Sequence, residues 1–255
     1  MWMLLVLRLT AYAPPFVQAP IAVTAEWVAK KVDERDTGKD ARLEMEMKLY
    51  DRRGRETLRR LTLLSRRNGG FDKVLLRFTY PGDIRDTAFL SVEESTEDDR
   101  FLYLPAIGRS RRISAQENQD SFVGSDITYE DISGRKLDDY TYRLLPDEEI
   151  DGTACFVLES VAKASSAKYA RSVSWVDKET FVIRKGDTFD RSGEKTKDYR
   201  AEDVARIDGI WTVKRMKMEN VKQGTRTELV TTRAEYNRGV PDSVFTRQAL
   251  ERPVP

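Results

Sequence analysis

Four groups of side chains in this sequence could do chemistry. Glu130-Asp131 and Asp138-Asp139 are adjacent carboxylates, the type that performs acid and base work in glycoside hydrolysis. Cys155 is the lone thiol, and Arg109, Arg111 and Arg112 stand close enough to present several planar forks to a phosphate or carboxylate. Each has an ordinary reading beside it. With 43 Asp and Glu among 255 residues, neighbouring carboxylates arise by chance at strand ends and turns. Cys155 begins the apolar run Cys155-Phe156-Val157-Leu158, and the chain has no histidine to activate it, so a small core residue is expected. The missing histidines also exclude Ser-His-Asp and Cys-His catalysis, an HExxH metal helix and an imidazole proton shuttle. One cysteine forms neither an internal disulfide nor a CxxC metal site. No GxxxxGK[ST] loop and no GxGxxG after a strand is present, so no nucleotide cradle is visible. No cofactor, no metal and no enzymatic activity are expected.

The elements that must hold these groups are mostly strands. Thr24 can cap a helix that starts at Ala25, puts Trp27, Val28 and Val32 on one face, and stops at Gly38. Residues 42–50 then alternate strictly, with Leu43, Met45, Met47 and Leu49 on one face and Glu44, Glu46 and Lys48 on the other. Further strand-like runs are 57–65, 74–80, 87–92, 100–104, 109–113, 140–145 and 155–161, followed by 170–176, 181–187, 199–207, 211–221 and 225–234. Short turns join many of them, as at Asn68-Gly69-Gly70, and neither a repeat nor a low-complexity linker divides the chain. The simplest account is mainly β: one continuous antiparallel meander whose apolar face is covered by curling, by a second sheet or by a helical lid.

Charge is balanced overall, 44 Lys and Arg against 43 Asp and Glu, which removes the electrostatic case for a nucleic-acid partner. The balance is uneven locally. Arg8 is the only charged residue in 1–25, where an apolar run gives way to a Pro-rich stretch too short to span a bilayer. That segment reads as a secretory leader with Val23-Thr24-Ala25 as its best cleavage site, the alternative being an apolar tail. The expected organisation is a leader over 1–25 and one domain over 26–255.

The stretch 100–131 is the most unusual. Phe101-Leu102-Tyr103-Leu104 turns at Pro105 to Gly108 into the basic strand 109–113; Ser121-Phe122-Val123-Gly124-Ser125-Asp126 and Tyr129-Glu130-Asp131-Ile132 follow. Arg109 and Arg111 share a strand face while Arg112 points the other way. They form either a solvated edge that discourages aggregation or a contact for an anionic head group or partner.

On these motifs the chain resembles the outer-membrane lipoprotein-sorting proteins related to the periplasmic carrier LolA. Val32-Asp33-Glu34-Arg35, Tyr80-Pro81-Gly82-Asp83-Ile84, Ile207-Asp208-Gly209-Ile210-Trp211 with Met216 and Met218, and Val240-Pro241-Asp242 extend the likeness over 24–252. The resemblance implies an incomplete, strongly curved antiparallel barrel of LolA/LolB type. An N-terminal helix and short helices would cover its open side and enclose an apolar cavity for acyl chains. It also implies a periplasmic location and an association with exporters of the RND type. Candidate lining residues are Trp27, Val28, Leu43, Met45, Met47, Leu49, Phe122 and Tyr129, each of which a closed core would equally well use. Gly124 is the candidate hinge of a gating loop. The expected function is a monomeric carrier that binds the acyl chains of a lipid or lipoprotein. The alternative is a non-catalytic accessory protein docked on an RND-type exporter through Arg109, Arg111 and Arg112.

Overall fold

The computed structural model describes residues 23–68, 71–93, 98–165 and 167–252; most of the expected leader therefore lies outside the described residues. One helix precedes the sheet, α1 (Ala25–Asp33), capped by the Thr24 hydroxyl, which accepts from the Trp27 amide at 3.1 Å. It ends at Glu34, earlier than Gly38. That glycine instead takes the chain at φ +80° into the first strand, where a Cβ would sit 3.1 Å from the Asp40 carbonyl.

All thirteen runs expected to be strands are strands of one sheet. The first six are β1 (Asp40–Tyr50), β2 (Glu56–Asn68), β3 (Phe71–Tyr80), β4 (Ala88–Val92), β5 (Asp99–Leu104) and β6 (Arg109–Arg112). The other seven are β7 (Tyr140–Ile150), β8 (Thr153–Ala162), β9 (Arg171–Asp177), β10 (Ile183–Phe189), β11 (Lys195–Ile207), β12 (Ile210–Asn220) and β13 (Thr225–Tyr236). Every neighbouring pair is antiparallel, in the order β6-β5-β4-β3-β2-β1-β13-β12-β11-β10-β9-β8-β7. The sheet does not close, so β6 and β7 remain as edges.

This order fixes what covers the sheet. The chain starts in the middle at β1, meanders out to β6, jumps to the opposite edge at β7, and meanders back to pair β13 with β1. The jump, residues 113–139, must cross one face of the sheet, and its apolar side chains say which. Ile113, Phe122, Ile127 and Tyr129 are buried together with Met47, Leu61, Leu76, Phe78, Phe89, Leu102 and Met218. Burial of that apolar surface, at about 25 cal/mol per Å², holds the crossing segment down. Besides two 3-10 turns it carries one short α-helix, α2 (Tyr129–Ser133), closed by a capping box: the Thr128 hydroxyl accepts from the Asp131 amide at 3.1 Å, and the Asp131 carboxylate accepts from the Thr128 amide at 2.9 Å.

Two further pieces complete the covering. Helix α1 packs beside β7 and β8, burying Val28 and Ala29 against Leu158 and Val176. On the opposite face of β3 and β4, Phe245 and Leu250 join Leu75, Ala88 and Leu90; Leu250 comes from α3 (Arg247–Leu250). There Arg77, buried in the sheet, donates to the Leu250 carbonyl at 2.9 Å and the Ala249 carbonyl at 3.3 Å, satisfying carbonyls at the end of α3.

Candidate functional site

Between the crossing segment and the concave face of the sheet lies a cavity of about 430 Å³. This falls in the range of about 300–1,000 Å³ typical of small-molecule sites. Its lining follows from strand alternation. On β1, Met45 and Met47 face inward; Met47 stands opposite Leu229 of β13, and Leu229 opposite Met216 of β12, giving an apolar row across three strands. Leu61 and Leu63 of β2 and Leu76 of β3 extend it on one side, and Met218 extends it toward Tyr199 of β11. Ile127 and Ile132 of the crossing segment form the roof.

The opposite end is polar. Ser172 and Ser174 of β9, Asp187 and Thr188 of β10 and Lys197 of β11 line it, with Glu130, Asp131 and Arg135 above. These charges are paired: Lys197 Nζ lies 3.4 Å from Asp131 Oδ2, Arg135 Nε 3.6 Å from Glu130, and Asp187 lies 2.8 Å from Lys195. Burial pushes the Asp131 carboxyl up, but Lys197 and Arg135 outweigh it and hold the group below the usual carboxylate range. Burial pushes the Lys197 ammonium down, opposed by Asp131. The phenols of Tyr169 and Tyr199 are pushed up to about 12, chiefly by burial, and stay neutral at physiological pH.

Of the candidate lining residues, Met45 and Met47 border this cavity. Phe122 and Tyr129 do not. They stack with Phe78 and Phe89, ring centroids 5.3–5.8 Å apart, in the solid core that continues from the lining. Leu49 packs on that same core and borders a separate surface depression, while Leu43 packs with Ala41, Ile210 and Tyr236. Trp27 and Val28 are elsewhere again, in the closed cluster under α1, where Trp27 meets Phe181 edge-on at 5.6 Å. The reason is topological: α1 docks on β7 and β8, beyond the strands that form the cavity floor.

Gly124 takes φ +73° after Val123 at φ +48°, in a turn open enough that a Cβ would touch nothing within 4 Å. The turn is tied on both sides. Arg59 donates to the Val123 carbonyl at 2.7 Å, and the Asp126 carboxylate accepts from the hydroxyls of Thr225 and Thr227 on β13. Any swing about Gly124 has to break these bonds. Arg109, Arg111 and Arg112 lie on the edge strand β6, remote from the cavity lining. Arg111 is bonded to Glu117 at 2.7 Å and Arg112 to Asp99 at 3.0 Å.

Leu229 and Lys197 are lining residues with no place in the sequence reading, and Met216 and Met218, part of the family motifs, are not among its candidate lining. The methionines carried a usable signal, since Met216-Lys217-Met218-Glu219 alternates as 42–50 does; Leu229 sits beside Val230 and carries no such mark. Lys197 is in phase with Tyr199 and Ala201 on β11, a charge within an inward-facing set.

A family model described as an uncharacterized protein family matches residues 70–252. Among solved structures, a DUF1329 family protein from Desulfovibrio piger is 32% identical, with a TM-score of 0.83 over 89% of this chain and 97% of its own. A domain from Vibrio parahaemolyticus, provisionally described as an outer membrane lipoprotein-sorting protein, is also 32% identical, with a TM-score of 0.83 over 90% of this chain and 98% of its own. A LolA superfamily protein from Nitrosomonas europaea is 26% identical, with a TM-score of 0.71 over 89% and 100% of the two chains. No curated protein matches the chain.

Proposed function

The chain belongs to the LolA-like lipoprotein-sorting group that includes DUF1329 proteins, and from that membership we propose that it is a periplasmic carrier that holds acyl chains of a lipid or lipoprotein in its cavity. The observation that carries this reading is the unfilled space on the concave face, floored by Met45, Met47, Met216 and Leu229 and roofed by Ile127 and Ile132. Methionine suits such a surface because its flexible thioether adapts to guests of different shape. Each methylene moved there from water contributes about 0.8 kcal/mol. Ten methylenes therefore offer about 8 kcal/mol, enough to exceed the lower estimates of about 4 kcal/mol for association.

Carriage of this kind requires no bond to be made or broken. It requires a lid that yields, and the crossing segment with its single five-residue helix is the part of the covering held to the cavity by side chains rather than by sheet hydrogen bonds. Among the described residues no helix is long and apolar enough to cross a membrane. Native mass spectrometry of the purified protein tests the reading: a co-purified acyl lipid that leaves on mild activation is expected, and protein that neither carries nor takes up such a lipid would refute it.

The alternative role, docking on an RND-type exporter through β6, draws less support. Two of its three arginines are engaged by Glu117 and Asp99. They fit better as a guard on the sheet edge, where Glu251 of the C-terminal tail also accepts from the Ser110 amide at 3.2 Å. The other edge, β7, carries Pro146, Asp147, Glu148 and Glu149 in its second half. Both edges resist pairing with another sheet, which supports a monomer.

A further inference from the structure

The cavity has two chemically distinct ends. One is the row of Met47, Leu229 and Met216; the other is built by β9 to β11 and centres on Lys197. Lys197 is 5% exposed and lines the cavity. Its ammonium has three N–H donors. Its one hydrogen bond among the described residues runs to Asp131 Oδ2 at 3.4 Å, longer than the usual 2.7–3.2 Å, and the Tyr169 ring faces it at 4.9 Å. The carboxylates nearby have other cations: Glu130 and Asp131 share Arg135, and Asp187 lies between Lys185 and Lys195. A buried ammonium with spare donors is costly to keep unless an acceptor is supplied, and the acceptor's place is the cavity.

Resting on the carrier reading, we propose that Lys197 is the head-group contact and that the ligand bears a carbonyl oxygen, as carboxylate or ester, at the end of its acyl chain. The tail then lies along Met47, Leu229 and Met216, and the oxygen accepts from Lys197 Nζ. This fixes the orientation of the guest and selects against plain hydrocarbons, since a chain without an oxygen leaves the ammonium unsatisfied.

Displacement of N-phenylnaphthylamine, an apolar fluorescent probe, by palmitate and by methyl palmitate tests this on the full chain. Lys197→Met is expected to weaken palmitate by about tenfold or more and the apolar probe by far less, and Lys197→Arg to restore most of the loss. A loss confined to palmitate identifies a carboxylate head; an equal loss of methyl palmitate identifies an ester, as on a lipoprotein anchor. Lys222→Met, which removes the same charge outside the cavity lining, should keep palmitate binding. Palmitate binding by Lys197→Met within about twofold of wild type would overturn the assignment, as would a matched loss in Lys222→Met or an equal loss of probe and palmitate. Wild-type protein that takes up the probe but shows no dependence on Lys197 defeats this inference alone. Wild-type protein that takes up neither probe nor palmitate defeats the carrier reading with it.

Discussion

Asp126 does more for the covering segment than its surface-loop neighbourhood suggests. It is 9% exposed, accepts from Thr225 and Thr227, and donates its own amide to the Thr227 hydroxyl at 2.9 Å. Charge-assisted bonds of this kind contribute about 1.5–3 kcal/mol each. Asp126→Ala should therefore lower stability to urea by about 2 kcal/mol or more, whereas Lys222→Ala, which loses only exposed ion pairs, should leave it nearly unchanged. Equal effects from the two would mean that the loop is not anchored at Asp126. Cys155 illustrates the opposite case, a reactive residue type made inert by its place. It is fully buried on β8 with its Sγ donating to the Thr153 carbonyl at 3.4 Å, and burial raises its thiol. A water-soluble disulfide reagent should label it only as the protein unfolds; rapid labelling of native protein at neutral pH would contradict this placement.

Elements show where reading from sequence succeeds and where it stops. Strands were legible because period-two alternation leaves a mark at every residue: 42–50 announced both β1 and its inward face. Helix α2 was not legible from periodicity, because five residues make little more than one turn. Its signature was local, Thr128 followed three residues later by Asp131, and that capping pair is a readable sign of a helix start. Nor does the spacing say that α1 docks on β7 and β8, so for Trp27 and Val28 it leaves cavity lining and closed core equally open; both pack in the cluster under α1. Thr128→Ala should cost about 1 kcal/mol and loosen amide protection in residues 128–133 before it affects β1.

The turn at 115–117 makes a pH prediction. Its Glu117 carboxylate accepts from the Ser114 amide and hydroxyl and from Arg111, and these bonds bring its pKa down to about 2. A depressed carboxylate stabilises the fold above its unfolded value of about 4.3 and loses that contribution as pH falls through its folded value. Amide shifts in residues 114–117 should therefore titrate with a midpoint near 2. A midpoint near the unperturbed value would show that the Ser114 and Arg111 bonds do not hold in solution.

At the scale of the molecule, the decisive feature is that the first and last strands, β1 and β13, pair in the middle of the sheet, while the edges are joined by a segment thrown across the concave face. That topology makes a cover that belongs to the same chain as the floor yet is not part of its hydrogen-bond ladder. The strand reading anticipated one continuous antiparallel sheet, and the family resemblance its open, curved form; neither could locate the cavity, because inward-facing methionines look alike whether they meet other side chains or leave room. With β6 and β7 both charged and β6 capped by Glu251, light scattering should report a monomer at micromolar concentration, and a stable dimer would contradict the account of the edges.

The central claim is that the space over Met47, Leu229 and Met216 receives an acyl chain, and filling it is the most direct test. Met216→Trp should retain the wild-type circular dichroism and thermal transition, because the added rings enter unoccupied volume rather than a packed core. Titration with an environment-sensitive fluorescent fatty acid should then show saturable binding to wild type and at least about a tenfold loss in Met216→Trp. Unchanged binding in a folded Met216→Trp variant would contradict the account, because the guest would then lie somewhere other than this cavity.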